Sequence, residues 1–224
     1  MAPRTALIAG ATGLVGAACL AEILRRDAYA RVTAVGRRPP PAGHPRLTPG
    51  VIPLERLDAA GDALCADDVF CCLGTTIRDA GSQDAFRAVD YGYPLALARA
   101  AKAAGARRFL VVSSVGADAA SSAFYLRVKG EMERDLRAVG YGVLDIFRPS
   151  LLLGERVRPR SGERAAAVAM RIVGPLLVGG LARYRPVDAA AVGRAMVARA
   201  LEPHEGVAVH FVPAIVRLDA GERA

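Results

Sequence analysis

Five short runs in the first 150 residues carry apolar side chains on both faces, and each gives way at once to glycine, serine or an Arg-Pro step. They are Thr5–Ala9, Arg31–Val35, Asp68–Leu73, Phe109–Ser113 and Val143–Phe147. Between them lie Ala-rich stretches that read as helices, chiefly Leu14–Arg26, Ser82–Ala104 and Ser121–Val139. A strand without a polar face has to be covered on both sides, which is the condition of a parallel sheet between helix layers. Strand–helix alternation with right-handed crossovers then gives an α/β fold built on a doubly wound parallel sheet. A further short strand is expected at Val51–Leu54. Beyond residue 150 the pattern weakens. It predicts a short strand at Leu151–Gly154, a helix over Glu163–Leu181 interrupted at Gly174-Pro175, a clearer helix over Asp188–Leu201, and a last strand over Val207–Val212. The expected organisation is a single domain over 1–224, with a core over 1–150 and a small C-terminal substrate-side lobe over 151–224.

Composition removes several classes. Of the 224 residues 53% are hydrophobic and 23% charged, which is the balance of a folded globular chain rather than a disordered one. No apolar run reaches the length of a membrane span, since Ile172–Ala182 holds four helix-breaking glycines and prolines. The start, Met1 to Thr5, has no charged leader followed by an apolar stretch, so no signal peptide is expected. The four cysteines (Cys19, Cys65, Cys71 and Cys72) fit no zinc spacing. They are expected as buried small hydrophobes in a reducing, cytoplasmic setting, and no metal is expected. Net charge is +8, which favours anionic ligands. The charge is spread along the chain without interleaved aromatics, so nucleic acid is an unlikely partner. His44, His204 and His210 are far apart in sequence and read as structural.

The first strand runs into Gly10-Ala-Thr-Gly13-Leu-Val-Gly16 and then a helix. Gly10 permits a tight turn, Gly13 lets the backbone approach a pyrophosphate, and Gly16 lets helix pack closely on strand. The free N–H groups of a helix N-terminus favour phosphate there. Gly10, Thr12, Gly13, Leu14, Val15 and Gly16 are therefore the expected phosphate loop of a dinucleotide cofactor. A carboxylate some 20 residues further on would hold the ribose 2′-OH of NAD. Here the second strand ends Gly36-Arg37-Arg38 instead. Guanidinium groups suit a 2′-phosphate, so Arg37 and Arg38 favour NADP(H) over NAD(H).

Tyr125 and Lys129 stand four apart, on one face of a predicted helix. A nearby ammonium stabilises phenolate, which makes tyrosine a usable general acid or base at a carbonyl. Position 129 is lysine in a chain where 28 of 30 basic residues are arginine. Ser113-Ser114 end a central strand 11–12 residues earlier, where such sheets bind ligands. Register favours Ser114 as the hydroxyl that polarises the carbonyl, with Ser113 as the fallback. Catalytic residues are thus expected at Ser114, Tyr125 and Lys129.

The order of the glycine loop, Ser113-Ser114 and Tyr125-x-x-x-Lys129 resembles the short-chain dehydrogenase/reductase superfamily. Cys71-Cys-Leu-Gly-Thr-Thr76, Val112 to Asp118, Tyr125 to Glu131 and Phe147-Arg-Pro149 are similar to its atypical subgroup, the one containing the human Tat-interacting oxidoreductase-like protein and its bacterial relatives. The resemblance covers residues 4–155 strongly. It implies a Rossmann fold and NADP(H) binding, with Leu73, Gly74 and Thr75 beside the cofactor and Pro149 and Ser150 bordering the nicotinamide. The acidic residue with which relatives meet the adenine falls at Pro53 here, so that contact is not expected. About 70 residues follow position 155, too few to cover a sugar nucleotide. The implied activity is an NADP(H)-dependent oxidoreductase acting on a small carbonyl or alcohol. The alternative is an NADP(H)-binding regulatory or redox-sensing protein with little or no turnover. By analogy with the superfamily, helices 82–104 and 121–139 could pair two copies. Arg156, Arg158, Arg160 and Arg164 form a basic cluster after the last core strand, readable as a solvated loop or as a lid over an acidic substrate.

Overall fold

The computed structural model describes residues 3–41, 43–53, 56–57, 60–154 and 177–221. The basic cluster Arg156–Arg164 and most of the expected 163–181 helix lie outside them.

Seven strands form one sheet, in the order β3-β2-β1-β4-β5-β6-β9, with every pairing parallel. In chain order these are β1 (Arg4–Ala9), β2 (Tyr29–Gly36), β3 (Leu47–Val51), β4 (Asp68–Cys71), β5 (Arg108–Val112), β6 (Val143–Arg148) and β9 (Gly206–Phe211). Two residues each from β7 (Leu152–Leu153) and β8 (Val187–Asp188) pair separately. The helices are α1 (Leu14–Arg25), α2 (Ile77–Ala80), α3 (Gln83–Arg87), α4 (Tyr93–Ala103), α5 (Phe124–Val139), α6 (Ala189–Leu201) and α7 (Val212–Asp219). This is the doubly wound α/β fold.

Side chains alternate strictly across the sheet, as a period of two requires. Ala6, Ile8, Val32, Ala34, Phe70, Leu110 and Phe147 face α1, α6 and α7. Leu7, Ala9, Val69, Cys71, Phe109, Val111, Leu144 and Ile146 face α4 and α5. The strand order turns outward in both directions from β1 and β4, so the crevice for a ligand opens at their carboxyl ends.

Several boundaries differ from expectation. The third strand is Leu47–Val51, not Val51–Leu54. It lies at the edge of the sheet, where Pro49, lacking an N–H, is tolerated. The expected 82–104 helix contains a π turn at Ala88–Gly92 between α3 and α4. The next helix starts at Phe124 rather than Ser121. The last strand ends at Phe211, and Val212-Pro213 opens α7 instead, because proline suits the first turn of a helix. Cys65 is exposed and Cys72 half-buried, so only Cys19 and Cys71 are the buried hydrophobes expected of all four.

Two buried carboxylates in the sheet, Asp68 and Asp145, lie away from the crevice. Asp68, at the start of β4, accepts a hydrogen bond from the Tyr29 hydroxyl (2.7 Å) and pairs with Arg4. Asp145, wholly buried in β6, accepts from His204 Nε2 and His210 Nε2 at 2.7 Å each, and from Arg199 Nε at 3.2 Å. His210 also stacks on Phe147, with ring centroids 4.7 Å apart. Edge strand β9 is thus tied to β6 by side chains as well as by the ladder.

Candidate active site

The loop between β1 and α1 holds two glycines, Gly10 and Gly16, that leave no room for a side chain. Gly10 has φ +84°, and a Cβ there would meet the Cys72 carbonyl at the end of β4. A Cβ on Gly16 would overlap the Gly10 carbonyl. The loop closes with Gly13 N–H donating to Gly10 O at 3.0 Å. Gly13 caps α1 without a side-chain acceptor, and no acidic residue stands in the first turn. The orphan N–H groups and partial positive charge at this end therefore stay available to an anion. Thr12 is exposed, Leu14 half-buried and Val15 buried. At the end of β2, Arg37 and Arg38 are exposed, and among the described residues no hydrogen bond or ion pair engages their side chains. Across the crevice, Leu73 is buried, Gly74 is exposed, and the Thr75 N–H donates to Asp90 Oδ2 at 2.8 Å.

The α5 side is organised by the one-turn repeat Tyr125, Lys129, Glu133. Lys129 is only 3% exposed and forms a 2.7 Å ion pair with Asp90, itself 1% exposed. Its Nζ also reaches the Val112 carbonyl at 3.5 Å. Burial alone would push the Lys129 pKa down; the Asp90 carboxylate, with the Tyr125 oxygen adding to it, outweighs that and holds it above the ordinary lysine value. Glu133 accepts from Ser113 Oγ (2.5 Å) and from both Nε (2.9 Å) and Nη2 (2.6 Å) of Arg148. The ends of β5 and β6 are thereby fastened to α5.

This arrangement separates the two serines. Ser113 is buried and committed to Glu133, while the hydroxyl of half-buried Ser114 lies 3.3 Å from the Val115 carbonyl. The Tyr125 ring packs on Phe86 with centroids 5.4 Å apart. Pro149 is buried, and its carbonyl accepts from the Val115 N–H at 2.9 Å, bringing the tips of β5 and β6 together. Gly130, one turn from Tyr125, touches the 118–119 backbone so closely that a Cβ would overlap it. The glycine loop, Leu73–Thr75, Ser114, Tyr125, Lys129 and Pro149 all follow or face the carboxyl ends of β1, β4, β5 and β6.

Sequence reasoning missed Asp90, Glu133 and Arg148. Glu133 was signalled by its four-residue spacing from Lys129. Asp90 was signalled as a lone acid in the Ala85–Ala101 stretch, though the π turn that aims it inward leaves no mark in composition. Among the described residues no cluster of three or more His, Cys, Asp or Glu could hold a metal ion, and no helix is long and apolar enough to cross a membrane.

Residues 10–155 match the family model described as NAD(P)H-binding. The rat protein HTATIP2 is 38% identical over 210 residues, covering 92% of this chain and 85% of its own. The mitochondrial protein FMP52-1 of Scheffersomyces stipitis is 38% identical over 162 residues, 68% of this chain and 69% of its own. Among solved structures, MoeE5 in complex with UDP-glucose and NAD aligns over 97% of this chain and 81% of its own, with TM-score 0.65 and 20% identity. The Bordetella bronchiseptica enzyme WbmH in complex with NAD+ aligns over 93% and 76%, with TM-score 0.68 and 17% identity. These two structures show the shared Rossmann fold. A glycine cradle at the β1–β4 crevice, a matching family model over most of the core and relatives of 38% identity together place this chain in the NAD(P)H-binding family of atypical short-chain dehydrogenase/reductases, alongside HTATIP2 and the fungal FMP52 proteins.

Proposed function

We propose that the protein is an NADP(H)-dependent oxidoreductase that interconverts a small carbonyl compound and its alcohol. What supports this reading is the place of Tyr125 and Lys129 four apart on α5, with Lys129 reaching the Val112 carbonyl, and of Ser114 just past β5, on the sheet edge that also bears the glycine cradle. The cradle fits a dinucleotide, because its close approaches leave the α1 N-terminus open to a pyrophosphate. Gly10, Thr12, Gly13, Leu14, Val15 and Gly16 would hold the phosphates, and Leu73, Gly74, Thr75 and Pro149 would flank the remainder. Arg37 and Arg38 are exposed at the end of β2 with no side-chain partner among the described residues, and two such guanidiniums suit a 2′-phosphate.

When bound, the nicotinamide supplies or accepts the hydride. Tyr125 donates a proton to the carbonyl oxygen during reduction and takes it back during oxidation. Ser114 hydrogen-bonds the same oxygen and polarises it. Lys129 has three N–H bonds, of which Asp90 and Val112 O engage two, and the third serves the phenol or a ribose hydroxyl. Residues 151–224 would wall the substrate side. Two further parts belong to this reading: cytoplasmic action, and a homodimer through the outer faces of α4 and α5.

The test is a fluorescence titration with NADPH and NADH, followed by turnover assays on a carbonyl panel. NADPH binding at least tenfold tighter than NADH, with turnover abolished by Tyr125→Phe but binding kept, is the expected result. Binding that survives with no turnover on any substrate would favour the sensor alternative, and equal affinities would remove the 2′-phosphate assignment.

A further inference from the structure

The Lys129 that would face the cofactor is not a free cation. Its ammonium lies 2.7 Å from Asp90, and both side chains are almost fully buried, at 3% and 1% exposure. Asp90 comes from a different element, the π turn between α3 and α4. Its other oxygen is fixed by the Thr75 N–H at 2.8 Å. A Cβ on Gly74 would stand 3.5 Å from the Asp90 carboxylate and 4.0 Å from Lys129 Nζ, so the pair lies directly beneath the Leu73–Thr75 strand end. The other titratable groups acting on Lys129 are the Tyr125 phenol and the Cys71 thiol, and burial pushes the latter up to about 12, which keeps it neutral. The pair therefore presents no net charge to whatever binds above it.

That neutrality has a chemical consequence for a nicotinamide nucleotide. The oxidised ring is a cation and the reduced ring is neutral. A lone buried ammonium beside the ring would repel the oxidised form selectively, and in a site shielded from water that repulsion is large. We propose that Asp90 sets the balance between the two redox forms of the nucleotide, by cancelling the Lys129 charge so that the oxidised form is retained. Asp90 is a positioning and charge-balancing residue in this assignment and touches neither substrate nor reacting atoms. The inference rests on the nucleotide reading of the site.

The experiment measures dissociation constants of NADPH and NADP+ for the full-length protein, by calorimetry at one pH and ionic strength, with no turnover required. In Asp90→Asn the ratio of the NADP+ to the NADPH constant is expected to rise about tenfold. In Asp90→Asn/Lys129→Met, which removes both charges, the ratio returns to within about threefold of the native value. In Lys129→Met alone, which leaves the carboxylate, the ratio falls. The last two variants decide the matter if Asp90→Asn does not fold. Equal weakening of both nucleotides in Asp90→Asn, or an unchanged ratio in the single variants, would overturn the charge assignment and leave Asp90 a structural tether. Absence of binding of either nucleotide to the native protein would instead sink the nucleotide reading, and this inference with it.

Discussion

A single methyl group is enough to break the cradle. On Gly16 it would run into the Gly10 carbonyl, which cannot retreat because Gly10 already packs on the Cys72 carbonyl. Overpacking of this kind costs about 1–3 kcal/mol. Gly16→Ala is expected to lower the melting temperature by several degrees and to abolish measurable NADPH binding, while Gly43→Ala, with open space around it and no positive φ, leaves binding intact. Charge reversal tests the other end of the site. Arg37→Glu/Arg38→Glu should weaken NADPH at least tenfold and NADH by less than threefold, as read by the same titration. Much of this scale was legible beforehand. The glycine spacing, Tyr125 and Lys129 carry their signal in residue type and interval, and lysine stands out in an arginine-rich chain. Asp90 carries only the faint mark of a lone acid in its stretch, because only a tertiary contact tells an inward-facing acid from a solvated one. Cys65 was misjudged for a similar reason: small thiols are usually buried, but this one follows the 3₁₀ turn Gly61–Leu64 and points to water.

At the scale of elements, α1 is gripped from two sides. Gly16 seats it on the loop from β1, and Gly193 of α6 lets that helix approach so closely that a Cβ there would stand 2.6 Å from the Cys19 nitrogen. Gly193→Ala should therefore separate α1 from α6, with a cost of about 1–3 kcal/mol and a loss of roughly 2–10 °C in melting temperature by calorimetry. The inner strands and the bodies of α1, α4, α5 and α6 were legible in the sequence because two-sided apolar runs and glycine stops are local signals, whereas α7 was not expected. The edge strand β3 was not. Leu47-Thr-Pro-Gly-Val51 has the composition of a turn, and only its place beside β2, with no partner beyond it, lets proline and glycine sit in a strand. The π turn is likewise invisible, since its extra residue is stabilised by the Asp90 contacts it creates.

For the molecule as a whole, the buried Asp145 clamp fixes one end of the sheet. Burial would raise the Asp145 pKa, but the hydrogen bonds and charge of His210 and His204 outweigh it and hold the carboxyl below its ordinary range. A depressed carboxyl pKa stabilises the fold above the unfolded-state value near 4, and that contribution disappears as pH falls through the folded-state value. Asp145→Asn is expected to cost about 3 kcal/mol at pH 7, since it breaks a buried ionic network. The gap between variant and native melting temperatures should then narrow steadily below about pH 4. An equal gap at pH 7 and pH 3 would show that the charge plays no part.

The same clamp dictates an order of assembly. Asp145 is made 59 residues before His204 and 65 before His210. Arg4 of β1 and Arg108 of β5 likewise wait for the backbone carbonyl of Ala200. A nascent chain that has completed the nucleotide cradle and the α5 face still carries an uncompensated carboxylate in β6 and a sheet face without α6. While it is being synthesised, the half that would bind the cofactor lacks this cover, so a chain halted before Ala189 would present an open, protease-sensitive sheet rather than a small working domain.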